Sequence, residues 1–328
     1  MNPVLKHFAG WMFLGLLLHA AGTALAQDYP TRPVRITAGF PPGSSADLVS
    51  RIMADQLARQ LGGQVVVVNT VGASGTIAAG AVAKANADGY TLLLTTSVLM
   101  LSPHLYKSVP YDPFKSFTPI ARVGNTPFCI VVQSQSTMQS IRDVIAEAKA
   151  KPGSLNYGAG GSASTGWFAG ALLNTMAKVE IQSVAYTGLP AALTALIGGQ
   201  VQMVVSDLPS TIGHVRSGRL RMIAVTSAQR MDLLPDVPTV AESGLPGYEV
   251  VNWYGLLAPN ALPGPLLDRL QAVIAAIFKS PEKALLDQFA GLGLVPPPLN
   301  TPEQFAEYLR ADFEFWKKLV ADTGVKPN

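Results

Sequence analysis

Three short stretches of small residues could do chemistry in this chain, each placed where an apolar run gives way to a helical pattern. They are Phe40-Pro41-Pro42-Gly43-Ser44-Ser45-Ala46-Asp47, Tyr157-Gly158-Ala159-Gly160-Gly161-Ser162-Ala163-Ser164-Thr165 and Val205-Ser206-Asp207-Leu208-Pro209-Ser210. A helix that starts from such a turn presents unpaired backbone N–H groups at the positive end of its dipole, which suits an anion. Glycine lets the backbone come close, and serine or threonine adds hydroxyl donors. A carboxylate can be held this way without a cation, each contact contributing ~0.5–1.5 kcal/mol net. The same residues have structural readings. Ser44-x-x-Asp47 has the form of a capping box, so Asp47 either caps its own helix or touches the ligand, and both stay open. Asp207 fits an N-cap before Leu208-Pro209, yet it would face the same cleft as the glycine turn and is read as a ligand contact.

Catalytic alternatives fail on their own motifs. Gly158-Ala159-Gly160-Gly161-Ser162-Ala163 matches a G-x-G-x-x-A dinucleotide fingerprint, which also needs an acid at the end of the next strand. Glu180 has roughly the right offset, but it begins the run toward Tyr186 instead of ending it. No G-x-S-x-G elbow occurs, since Ser164 follows Gly160-Gly161-Ser162-Ala163, and no phosphate loop ends in Gly-Lys-Ser/Thr. An exported hydrolase using Ser162 or Ser164 would lack a histidine partner, because His104 and His214 lie in unrelated segments. The residues predict no catalytic group, no metal and no cofactor.

The elements that must position these turns alternate along the chain. Val34–Phe40, Gln64–Val68, Tyr90–Thr95, Phe128–Val132, Ser183–Tyr186, Val201–Ser206, Arg221–Thr226 and Glu249–Leu257 read as strands. Asp47–Leu61, Ser140–Ala150 and Thr165–Met176 carry helical spacing. Leu48, Ile52, Met53, Leu57 and Leu61 share one face of the first, which Gly62 ends. This is an α/β pattern of parallel strands covered by helices. Ser102–Pro119 reads as a long surface connection. Apolar strands near 125–132 and 221–226 would carry the chain to a second lobe and back. That gives lobe one as 27–125 plus 226–328, and lobe two as 126–225. The stripe Phe305, Leu309, Phe313, Trp316 and Val320 predicts a final helix clamping lobe one.

Compartment and partners follow from the N-terminus and the charge. Lys6 and His7 precede an apolar stretch from Phe8 to Ala20, and Ala24-Leu25-Ala26 supplies a cleavage pattern, so residues 1–26 read as a secretory signal peptide. The stretch is short of the about 20 apolar residues that cross a bilayer. The formal net charge is +3, and only 14% of residues are charged, which points to neither nucleic acid nor a charged membrane surface. Cys129 is the sole cysteine, so no internal disulfide forms, and it reads as a buried small hydrophobe. A periplasmic monomer is expected.

The chain also resembles, from Gln27 to its last helix, the periplasmic binding proteins of tripartite tricarboxylate transporters, the Bug or TctC family. The matching stretches include Tyr29-Pro30-x-Arg32-Pro33, Phe40-Pro41-Pro42-Gly43 with Asp47, Ala87-Asp88-Gly89-Tyr90-Thr91-Leu92, and Leu105-Tyr106 with Pro110-Tyr111-Asp112-Pro113. Others are Lys151-Pro152-Gly153 with Asn156-Tyr157-Gly158, Gly198-Gly199-Gln200-Val201, Leu234-Pro235-Asp236-Val237-Pro238-Thr239, and Gly244-Leu245-Pro246-Gly247-Tyr248. The resemblance implies a two-lobed periplasmic-binding-protein fold of type II-like form. Each lobe is then a sheet flanked by helices, and the lobes are joined by two crossing strands with the ligand in the cleft. It implies a carboxylate held largely by backbone N–H groups and ordered waters from the first two loops. Contacts carry over to Phe40, Gly43, Ser44 and Ser45, to Ala159, Gly160, Ser164 and Thr165, and to Asp207 at the ligand's far end. Tyr186 and Ser97 match cleft-lining positions. The implied partners are a small carboxylate and the integral-membrane permease of such a transporter; a receptor kinase reading the closed form is the alternative.

Several positions depart from the family. Ser44 stands where a second glycine is common, Trp167 where histidine is, Ala185 where proline is and Thr187 where lysine is. Trp167 would turn the cleft toward an apolar or aromatic acid, or else only pack its helix onto lobe two.

Overall fold

The computed structural model describes residues 29–323, so the expected leader at 1–26 lies outside the described residues. Two half-sheets share one strand. The first contains β1 (Val34–Ala38), β2 (Val65–Asn69), β3 (Thr91–Thr96), β4 (Phe117–Gln133) and β9 (Val251–Pro259). The second contains β4 again with β5 (Asn156–Ala159), β6 (Gln182–Ala185), β7 (Met203–Asp207) and β8 (Leu220–Val225). The combined order is β2-β1-β3-β9-β4-β7-β5-β6, with β8 on the other side of β4. β1 pairs in parallel with β2 and β3, and β5 with β6 and β7, whereas β4 runs antiparallel to all its neighbours.

β4 is the crossing strand. Phe117–Pro127 pairs with β9, and Phe128–Gln133 pairs with β7 and β8, so the change of sheet falls at Pro127-Phe128. Phe128–Val132, expected as a separate strand, is the end of this longer one, and Asn156–Ala159 was not among the expected strands. The other expected strands lie within two residues of their observed bounds. Ser102–Pro119 is less of a surface connection than expected. Its start belongs to helix α3 (Val98–Leu105), and Tyr111 and Phe117 are buried.

Contacts of the segment after β8 bear on the return crossing. Thr226 donates its N–H to Phe128 and accepts from Val250, and Val225 bridges to Thr239. The Tyr248 hydroxyl donates to the Ala169 carbonyl in the second half. These contacts keep 226–250 beside the second half-sheet and favour a return near Val250, at the start of β9, over one near 225.

Helices cover both halves. α1 (Ser45–Leu61) buries Ala46, Val49, Met53, Leu57 and Leu61, and ends at Gly62 with φ 68°. Leu48 and Ile52 lie at the edge of that face. α2 (Thr76–Ala83) and α3 complete the first run; α4 (Ile141–Ala150), α5 (Thr165–Ala177), α6 (Leu189–Ile197) and α7 (Leu208–Arg216) belong to the second. The last helices are α8 (Gly264–Lys279), α9 (Lys283–Leu292) and α10 (Pro302–Thr323).

α10 holds both halves, not the first alone. Phe305 stacks edge-on to Trp253 of β9 at 5.7 Å, and Trp316 stacks edge-on to Phe168 of α5 at 5.6 Å. Both indole N–H groups meet the Asp312 carboxylate, at 2.9 Å from Trp253 and 3.1 Å from Trp316. Cys129, fully buried on β4, points its thiol at the Ser206 carbonyl, 3.2 Å away.

Candidate functional site

The N-termini of α1, α5 and α7 meet where the halves face each other. Each begins with an oxygen-bearing cap in extended conformation: Ser44, Ser164 and Asp207. Each cap engages one amide only. Ser44 Oγ accepts from Asp47 N–H, Ser164 Oγ from Trp167 N–H, and Asp207 Oδ1 from Ser210 N–H. The first amides of a helix have no intrahelical acceptor. Ala46, Thr165 and Gly166 are therefore left with N–H groups that neither helix nor cap engages, and all three residues line one cavity.

That inner cavity is about 40 Å³, room for a few water molecules and so for a group of carboxylate size. Of the residues expected as contacts, Phe40, Ser44, Ser45, Gly160, Ser164, Thr165 and Asp207 line it. So do Thr96, Val98, Phe128, Leu189 and Asn252, which sequence reasoning missed. Gly166 has no room for a side chain, because a Cβ there would lie 2.8 Å from the Val205 carbonyl oxygen. No Lys, Arg or His lines the cavity.

A second, wider chamber of about 350 Å³ adjoins it, sharing the lining residues Phe40 and Gly160. Tyr186 lines this outer space, together with Ser74, Tyr106 and Ser162.

Four expected contacts line neither space. Gly43 lies in the turn before α1 at φ 80° and gives its N–H to Asp47. Ala159 ends β5 and accepts from the Tyr186 N–H. Ser97 is fully buried behind Thr165, its hydroxyl 3.1 Å from Thr165 Oγ1 and donating to Asn252 Oδ1 at 2.7 Å. Asp47 is a cap. Its carboxylate accepts from Gly43 N–H, Asn69 Nδ2 and the Arg51 guanidinium, all within 3.0 Å. Burial opposes its charge, but the Arg51 guanidinium, the Gly43 amide and Asn69 outweigh burial and hold the carboxyl below its usual range. Asp47→Ala is expected to lower stability by about 2 kcal/mol in urea titrations, because it strands those donors. An unchanged urea midpoint would return Asp47 to the list of ligand contacts.

Trp167 also faces away from the cleft. Its indole N–H donates to Ser183 Oγ at 3.0 Å on β6, and its ring packs against the second half's core. Of the two readings of Trp167, these contacts favour packing.

The halves are closed on each other. Ser45 Oγ donates to Asp207 Oδ2 at 2.5 Å, and Ser45 N–H donates to Ser210 Oγ at 3.1 Å. Ser74 Oγ and the Tyr106 hydroxyl both donate to the Ser162 carbonyl, at 2.8 and 3.0 Å. A Cβ on Gly188 would lie 2.4 Å from Pro41 Cγ. Asp207 is buried without a cation; that burial raises its pKa, and the bonds from Ser45 and Ser210 oppose the rise.

Comparisons with known proteins point the same way. A family model described as the tripartite tricarboxylate transporter family receptor matches residues 49–324. Protein BugT of Bordetella pertussis is 33% identical over 318 residues, covering 95% of this chain and 97% of that protein. An R. palustris protein solved with adipate superposes with TM-score 0.88 at 32% identity, covering 92% of this chain and 100% of that one. The periplasmic binding protein BugD gives 0.87 at 31% identity, covering 92% and 100%. MatC from Rhodopseudomonas palustris, with bound malate, gives 0.84 at 28% identity, covering 89% and 100%.

Proposed function

This chain belongs to the tripartite tricarboxylate transporter receptor family, and we propose that it captures a small organic carboxylate between its two lobes and hands it to a membrane permease. The observation that carries the reading is the set of free amides of Ala46, Thr165 and Gly166 around one small cavity that no basic residue lines. Amides from both lobes contribute, so the carboxylate completes its bonds only when the cleft shuts. β4 passes between the half-sheets at Pro127-Phe128, and it is the natural place for the bend. Asp207, with Ser45 across the cleft, ties the closed form and lines the cavity assigned to the carboxylate.

Secretion through the leader at 1–26 into the periplasm fits a protein of this family. Among the described residues no helix is long and apolar enough to cross a membrane. The hydrolase reading finds no support: His104 sits 3.2 Å from the Phe313 carbonyl, and Ser164 is occupied as a cap. Presentation of the closed form to a receptor kinase would use the same closure, and capture of membrane partners separates it from transport.

The direct test is calorimetric titration of the mature protein with a panel of organic acids. At least one acid is expected to bind. Asp207→Ala is expected to weaken that binding about 10- to 100-fold, the loss of a charge-assisted hydrogen bond across the cleft, with an unaltered circular dichroism spectrum. Wild-type affinity in the variant would refute the assignment of Asp207.

A further inference from the structure

The outer chamber says what kind of acid fits. We infer that the ligand is an aromatic monocarboxylate, its single carboxylate in the inner cavity and its ring in the outer chamber between Phe40, Tyr106 and Tyr186. This inference rests on the carboxylate reading above and narrows it.

Size argues first. The inner cavity takes one carboxylate-sized group, and the adjoining chamber is nearly an order of magnitude larger. The body of the ligand belongs in the larger space. Phe40 lines both spaces and is half-buried, so it marks where they adjoin.

Charge argues second. No Lys, Arg, His, Asp or Glu lines the outer chamber. Two of its hydroxyl donors are already committed, since Ser74 and Tyr106 both give their hydrogens to the Ser162 carbonyl, which leaves those of Ser162, Tyr186 and Thr187. What Ser74 and Tyr106 still offer are lone pairs, which repel a second carboxylate and accept from a phenol or an amine. A second acid group in the outer chamber would therefore meet no counter-charge. A diacid's second carboxylate would find only neutral partners there.

Ring chemistry argues third. Phe40, Tyr106 and Tyr186 come from three separate segments to line one space, with Val71 at its rim. Aromatic faces prefer offset or edge-on contact with another ring, which adds to the gain from burial alone. An aliphatic chain would collect the burial and lose the ring–ring term.

The test is calorimetric titration of the mature protein with benzoate, 4-hydroxybenzoate, adipate and malate. An aromatic monoacid is expected to bind at least about tenfold more tightly than either diacid. Tyr106→Ala and Tyr186→Ala should each cut the aromatic-to-diacid affinity ratio severalfold. Tyr106→Phe keeps the ring and loses only the bond to Ser162, so it should keep the ratio. Adipate or malate binding as tightly as the aromatic acids, or a ratio unmoved in both alanine variants, overturns the inference and leaves the carboxylate reading in place. Binding of none of the four overturns this inference; failure of the whole acid panel removes the broader reading as well.

Discussion

Gly188→Val is expected to prop the cleft open and cut ligand affinity at least about a hundredfold while leaving the protein folded. Gly188 precedes α6 with φ 166°, an extended backbone that valine adopts readily. The added side chain therefore strains nothing locally. It meets Pro41 of the other lobe instead, where a Cβ would lie 2.4 Å from Cγ and 2.9 Å from Cδ. Pro41 sits in the turn that leads into α1, so a shift there carries Ala46 away from Thr165 and Gly166. The carboxylate then finds its amides on one lobe only. Small-angle scattering should report a larger radius for the variant with and without ligand, and calorimetry with the bound acid should report the loss. A second substitution, Pro41→Ala, removes the colliding ring and should restore part of the affinity. Wild-type affinity in Gly188→Val alone would show that closure does not pass through this contact.

Trp316→Ala is expected to lower stability by about 3–5 kcal/mol, read as a shift in guanidinium unfolding followed by circular dichroism. The side chain is fully buried, stands edge-on to Phe168 and donates to Asp312. Its removal leaves a cavity between α10 and α5 and takes away one of two donors to a carboxylate that burial pushes up to about 7, against the pull of the Trp253 and Trp316 indoles and Arg122. Phe168 lies one turn into the helix that begins with Thr165 and Gly166, so the loss should also loosen the site. A cost below about 1 kcal/mol would mean that α10 does not tie the second half in place.

How much of this was legible beforehand depended on distance along the chain. The turns at 40–47, 158–165 and 205–210 were readable because cap, glycine and helix start lie within a few residues of one another, and the structure brings all three together. The choice between cap and contact at Asp47 was not readable, because Asn69, which completes the cap, is 22 residues away. Asn252 was missed for the same reason: its partner Ser97 is 155 residues distant. The signal was a lone amide inside an apolar strand, Val251-Asn252-Trp253, where an unpaired polar group would be costly.

The full length of β4 was hidden by Pro119, Gly124 and Pro127, which ordinarily end strands. The strand survives them because its pairing with β9 shifts register between Pro119 and Ala121 and between Arg122 and Gly124, irregularities that absorb the breakers. Trp167 was left between two readings for another reason. Its place beside the glycine turn suggested the cleft, but its Cα direction on α5 sends the indole to Ser183.

The buried thiol of β4 has a practical side. Cys129 is fully enclosed, and burial first, with the nearby Asp207 charge second, pushes its pKa above the ordinary thiol range. It is therefore closed to alkylating dyes for as long as the protein stays folded. Since the chain has no other cysteine, one engineered at the mouth of the cleft would be the sole position to take a fluorophore, and the native residue need not be removed first. Opening and shutting could then be watched by emission from a single known point.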